Sequence, residues 1–320
     1  MKKCFLFFTM LLLVVSCKKE NEVEQKVAAV AVGKIDIERF DKIFYESKPE
    51  DLDKVKQQFP YFFPAGNPDQ IWIDKIKDPL LQELHMEVEK KYPDTKQLQE
   101  GLFDLFQHMK FYYPQFRTPK VVTLISEMDY EAKTIYTDSM VLISLDLYLG
   151  KEHRFYEFPE YMKQGFEPSQ IMPNLVTSFS ADKIAHPRDR TLLSQMIYYG
   201  KQLYMKDLML PEYSDADKMA YTPEQVKWAQ ANEAEVWRYF VENQLLYDSD
   251  PKLPGRFINP APFSKFYLEI DKDSPGMMGR WMGWQIVKAY MENNKNVTLQ
   301  QLMATDAKAI FDNSKYKPKK

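Results

Sequence analysis

The feature that most constrains this chain is a helical hydrophobic period that runs almost end to end and breaks once, just after Pro119. Ile37, Phe40, Ile43 and Phe44 recur at three- and four-residue spacing with acids and lysines between them, the stripe of an amphipathic helix. Pro49-Glu50-Asp51 opens a second helix, with proline in its first turn and acids at the positive end of the dipole. Leu80 to Tyr92 and Leu98 to Tyr113 continue the pattern, the latter with Leu102, Phe103, Leu105, Phe106 and Met109 predicted to face inward. After Pro119 the character changes. Val121, Val122, Leu124 and Ile125 form a short β-branched run, and Tyr130–Tyr136 and Met140–Ser144 read as two more strands.

Beyond Gly150 helices are predicted over roughly Pro168–Ile184, Arg190–Leu210, Pro223–Tyr247, Gly276–Asn293 and Thr305–Asn313. Gly255–Phe263, bracketed by Pro254, Pro260 and Pro262, reads as an extended loop. The pattern predicts an α+β fold, mostly helical, with a small central β-sheet in a single domain over residues 35–314, followed by a basic tail at 315–320.

The N-terminus says where such a domain would live. Lys2 and Lys3 precede an apolar run from Phe5 to Val15, which is too short to span a bilayer and has the plan of a secretory signal. Small Ser16 followed by Cys17 is the signature of a lipoprotein signal. Residues 1–16 are therefore expected to be removed and Cys17 lipidated, with residues 17–34 as a tether to the membrane. Two or three acyl chains on Cys17 hold a protein where one would not. A periplasm-facing, lipid-anchored protein is expected, with inner and outer membrane both open.

Composition removes several chemistries. With Cys4 cut away and Cys17 acylated, no thiol is left for a disulfide, a zinc knot or a nucleophile. Loss of Lys2 and Lys3 leaves 41 basic against 46 acidic groups, spread evenly, which argues against a nucleic-acid partner. There is no His-Glu-x-x-His, and the four histidines are isolated; His85, among Glu83, Glu87 and Glu89, reads as part of a solvated helix face. No Gly-x-Ser-x-Gly elbow is present, and ten glycines build no phosphate cradle or dinucleotide fingerprint. Acidic pairs such as Glu233/Glu235 and Asp248/Asp250 would suit glycoside hydrolysis, but charge-dense helices produce such pairs by default. Motif and composition give no enzyme, no cofactor and no metal.

Three segments taken together carry a resemblance. Thr137–Gly150 is a strand running into a turn, Leu193–Tyr204 a long helix containing Met-Ile-Tyr-Tyr-Gly-Lys, and Pro275–Tyr290 a last helix containing Met-Gly-Arg-Trp-Met-Gly-Trp. In this order, with Asn232–Trp237 opening another helix, they resemble the gliding motility lipoprotein B family (GldB) of the Bacteroidetes, over about Ile35 to Phe311. That family is similar to predicted zinc-dependent peptidases, so the resemblance implies a zinc-peptidase-like domain. A peptidase of this kind has a His-Glu-x-x-His helix after a strand and a glutamate on a later helix. Here Ser194, Gln195 and Tyr198 stand where His, Glu and His would be, with Glu233 or Glu235 at the third position. Hydroxyls are poor zinc ligands and glutamine is no base, so the metal centre reads as lost.

The resemblance then implies a lipid-anchored envelope component of gliding or of the type IX secretion apparatus. It would bind protein partners through a cleft whose edge strand accepts extended polypeptide. Tyr199, Lys201, Glu235, Arg280, Trp281 and Trp284 are the candidate cleft or partner contacts, with Tyr112–Phe116 and Trp237–Phe240 as further aromatic stretches. For the aromatics, core packing is the favoured alternative, since aromatics at helical spacing usually point inward. An active envelope hydrolase and a peptidoglycan- or glycan-binding lipoprotein remain as competing functions.

Overall fold

A four-stranded sheet of order β1-β2-β4-β3 organises the first half of the chain. In the computed structural model, which describes residues 22–318, β1 (Ile37–Arg39), β2 (Lys120–Leu124) and β4 (Met140–Ser144) run parallel, and β3 (Thr134–Tyr136) closes an antiparallel hairpin onto β4. Val121, Val122, Val141 and Ile143 are fully buried, as expected of parallel strands covered on both faces. The two edges are the three-residue strands β1 and β3, so β4 is internal and offers no edge to an added strand.

The chain between residues 22 and 119 supplies α1 (residues 22–28), α2 (Phe40–Tyr45), α3 (Leu52–Gln58), α4 (Asp69–Lys77), α5 (Pro79–Lys91) and α6 (Lys96–Tyr112). Ile37 was expected in the first helical stripe, but it pairs with Val121 in the sheet. Asp41 explains why strand gives way to helix so abruptly. Its carboxylate is wholly buried and accepts from Arg39 Nε and Nη2 and from Thr123 Oγ1, tying β1, α2 and β2 together.

Two further expectations in this half need correction. Residues 22–34 do not hang free as a tether. Val27 is buried, Gln107 donates to the Val30 carbonyl at 3.0 Å, Lys110 donates to that of Ala31 at 2.8 Å, and Thr118 Oγ1 accepts from the Gly33 amide. His85 is buried and stacked on Tyr45 instead of solvated, whereas Phe103 is exposed.

The second half is helical: α7 (Glu160–Lys163), α8 (Ile171–Ser180), α9 (Leu192–Met209), α10 (Asp215–Met219), α11 (Pro223–Ala231), α12 (Glu233–Glu242), α13 (Leu253–Phe257), α14 (Met278–Asn293), α15 (Leu299–Ala304) and α16 (Ala307–Ser314). The helix expected over Pro223–Tyr247 is broken at Asn232, whose side-chain amide turns back to the Trp228 carbonyl. Part of the expected proline-rich loop is α13, which proline opens at its first turn. The tail is not free either, since Tyr316 donates to Glu233 at 2.8 Å and packs against Trp237.

The helices α9 and α14 form the axis of this half. They cross at Gly200 and Gly283, where a Cβ on Gly283 would overlap the Met196 carbonyl and one on Gly200 would overlap the Gly283 backbone. Only glycine permits this approach. The glycines that carried the family resemblance are thus packing requirements.

Candidate functional site

The α9 helix has almost no solvent face, so its polar residues point into two different recesses. Ser194, Tyr198 and Lys201 line a cleft of about 210 Å³ with His186, Asp189 and Asp306. Ser194 continues the first turn, its amide donating to the N-cap hydroxyl of Thr191. Gln195 stays out of the cleft and donates to the Arg190 carbonyl at 3.0 Å. Buried Lys201 donates to the carbonyls of Met303 and Thr305 at 3.1 and 2.6 Å, satisfying the end of α15. Burial pushes its ammonium down to about 8, while the nearby Asp306 carboxylate pulls the other way.

Glu233 does not join this group. It is buried at the start of α12 and engaged by Tyr316, while Glu235 is exposed and paired with Arg238 at 2.7 Å. Among the described residues, no three His, Cys, Asp or Glu side chains are grouped so as to hold a metal ion. Trp281 and Trp284, candidate contacts by sequence, are buried in a T-shaped pair and present no surface. The alternative that placed them in the core is the one observed. Trp284 Nε1 donates to Asp207 at 2.6 Å, which explains its fixed position in α14.

The second recess lies on the other face of α9, between α8, α10 and α14, and measures about 290 Å³. Tyr199 and Arg280, both flagged by sequence, meet here: the guanidinium lies 4.0 Å from the centre of the Tyr199 ring and donates through Nε to the Ile258 carbonyl at 2.6 Å. Three lysines that sequence did not flag join them. Lys133 donates to the Gly165 carbonyl at 3.0 Å, Lys206 to the Lys218 carbonyl at 2.9 Å, and Lys218 pairs with Asp207 at 3.0 Å. The described lining contains no Asp or Glu.

Electrostatics follow from that imbalance. Burial pushes Lys206 down to about 7, with repulsion from Arg280 adding to it, and burial alone pushes Lys133 down to about 8. Burial also lowers Arg280 and raises Asp207, the latter against the pull of Lys218. A signal for Lys206 was available in the sequence: it sits between Met205 and Met209 on a helix whose apolar residues leave little polar face. Lys133 and Lys218 lie in irregular or short segments and carry no such signal.

The class defined by these features is a mostly helical α+β domain whose glycine-tight helix pair separates a cleft lined by charges of both signs from an electropositive cavity. No helix among the described residues is long and apolar enough to cross a membrane. The family model of the gliding motility protein GldB matches residues 18–318, and the chain belongs to that family, a gliding-motility lipoprotein family associated with the cell envelope. No curated protein and no solved structure matches it. The lipidation position, Cys17, lies outside the described residues.

Proposed function

We propose that this protein is a non-catalytic, periplasm-facing lipoprotein, anchored through Cys17, that serves the gliding or type IX secretion apparatus by binding envelope proteins. The observation that carries this reading is the fate of the four positions at which a peptidase would keep its metal. Ser194 lies in a helix start, Gln195 is turned to the Arg190 carbonyl, Tyr198 is a phenol packed edge-on to Tyr199, and Glu233 is engaged by Tyr316. None of the first three has a side chain that serves as a zinc ligand or general base at neutral pH.

Elemental mass spectrometry on the full lipidated chain, purified without a histidine tag and incubated with excess zinc, is expected to find no stoichiometric metal. In cells, alanine at Ser194, Gln195 and Tyr198 together is expected to leave gliding intact, whereas Cys17→Ser abolishes membrane retention and gliding. One zinc per chain, or loss of gliding in a stably folded triple variant, would overturn the non-catalytic reading.

A further inference from the structure

The cavity beside α14 holds more positive charge than its own structure uses. Each ammonium has three donors, and Lys133, Lys206 and Lys218 each spend one on a protein oxygen, Lys133 also lying 4.3 Å from the Phe166 ring centre. Arg280 spends Nε of its five N–H groups and stacks on Tyr199. Among the described residues, Lys133, Lys206 and Arg280 make no ion pair with a carboxylate. Lys206 is buried and Lys133 and Arg280 are half-buried; unpaired cations so placed are costly, and their grouping around one opening suits an anion supplied from outside. We propose that this cavity binds a small phosphate ester, with the phosphate held by Lys133, Lys206 and Arg280. Lys218, already paired with Asp207, adds to the field.

Three uncompensated cations suit a dianion better than a single carboxylate, and fork-shaped guanidinium suits phosphate oxygens. The rest of the lining describes what the phosphate is attached to. Gln170 and Asn174 each donate one amide N–H, to the Asp217 carbonyl and the Tyr148 hydroxyl, and offer a side-chain oxygen and a second N–H to ligand hydroxyls. The volume is at the small end for ligand pockets and fits a phosphate with a short polyol. The sequence lacks a glycine-built phosphate loop, but this site needs none, because side-chain cations replace backbone amides. The inference is independent of the motility reading and is tested without it.

The test is calorimetric titration of the full lipidated chain in detergent with glycerol 3-phosphate, inorganic phosphate, succinate and glycerol. Saturable one-site binding is expected for glycerol 3-phosphate, with the other three weaker by about tenfold or more. Lys206→Met, which removes a buried charge at nearly constant volume, is expected to fold and to weaken binding about tenfold. Gln202→Glu places a carboxylate in the lining and is expected to abolish binding. A short-chain phosphatidic acid separates sources: tighter binding than glycerol 3-phosphate identifies a lipid headgroup, and weaker binding a soluble ester. No saturable phosphate binding up to about 10 mM, or unchanged affinity in folded Lys206→Met, would overturn the site. Equal affinity for succinate would overturn the phosphate assignment, and equal affinity for inorganic phosphate would overturn the ester.

Discussion

Lys201 and Lys206 lie five residues apart on α9, both nearly inaccessible, and both donate to carbonyls at the end of another helix. Burial depresses both ammonium groups. Their surroundings differ in one respect. Lys201 lines a cleft with Asp189 and Asp306 as well as Arg188 and Lys308, whereas Lys206 lines a cavity with Arg280, Lys218 and Lys133 whose described lining has no Asp or Glu. A buried lysine used only to satisfy carbonyls can be balanced locally, as Lys201 is. One left among other cations lowers the stability of the empty protein, and a bound anion removes that cost. The two faces of one helix thus separate a structural use of buried charge from a binding use.

The largest effect should come from destroying both faces together. Gly283→Val drives a branched side chain into the Met196 carbonyl, and neither helix can retreat without opening the core on its far side. A loss of about 3 kcal/mol or more is expected by urea denaturation, with both recesses lost. If the variant unfolds like the parent, the seam is looser than its geometry indicates.

A smaller and more selective effect should separate the two lysines. Lys206→Met is expected to weaken phosphate-ester binding about tenfold and to cost the unliganded protein less stability than Lys201→Met, since the relieved desolvation offsets the single Lys218 carbonyl left without its donor. Lys201→Met leaves that binding within about twofold, but it costs stability by orphaning the Met303 and Thr305 carbonyls. Thermal unfolding of each variant with and without glycerol 3-phosphate reads both effects. Equal loss of binding in the two variants would erase the distinction.

The pH dependence carries the same contrast. Lys206 titrates near 7 and Lys133 near 8 in the folded protein, well below the 10.5 of a free lysine. Above these values the unfolded chain holds more lysine protons, so stability is expected to rise with pH from about 7 to 9, with Lys201 adding to the rise. Nearer 10 the buried tyrosines, whose pKa values burial raises, turn the slope downward, and below 7 the lysines contribute no slope. The slope around Lys206 also reflects its neighbours Arg280, Lys218, Tyr199 and Tyr221. A phosphate ester should flatten the rise by keeping the lysines charged, and Lys206→Met should remove its lower part. Denaturation midpoints between pH 6 and 10 measure this directly.

Much of this architecture was legible in the residues, for reasons that also mark where legibility ends. The helical period located α5 and α6, which bury one face along their length, and also α9 and α14, although those two are buried nearly all round. It misplaced Ile37, because a three-residue strand is too short to show a period of two and its apolar residue fits either reading. It joined α11 to α12 because the break at Asn232 depends on one local side-chain hydrogen bond. The cleft residues Ser194, Tyr198 and Lys201 and the cavity residues Tyr199 and Arg280 were found through the family resemblance, yet nothing in that resemblance assigned them to opposite faces. The cation cluster was illegible because Lys133, Lys206, Lys218 and Arg280 come from four separate segments. Only the fold shows that, among the described residues, Asp207 on Lys218 is the one carboxylate paired with any of them.

The finest test asks whether Asp306 balances Lys201. Asp306 caps α16 by accepting from the Ala309 amide at 2.9 Å, and its charge opposes the depression of Lys201. Asn is as good an N-cap, so Asp306→Asn should keep the cap while removing the charge, with a total loss of no more than about 0.5 kcal/mol. That loss should depend on pH. Near pH 10, where folded Lys201 is already neutral, the variant should match the parent closely; near pH 7, where Lys201 is charged, it should fall below it. An equal loss at both values would mean that the carboxylate serves α16 alone. Lys201 would then be as unbalanced as Lys206, and the cleft would have to be tested for anions alongside the cavity.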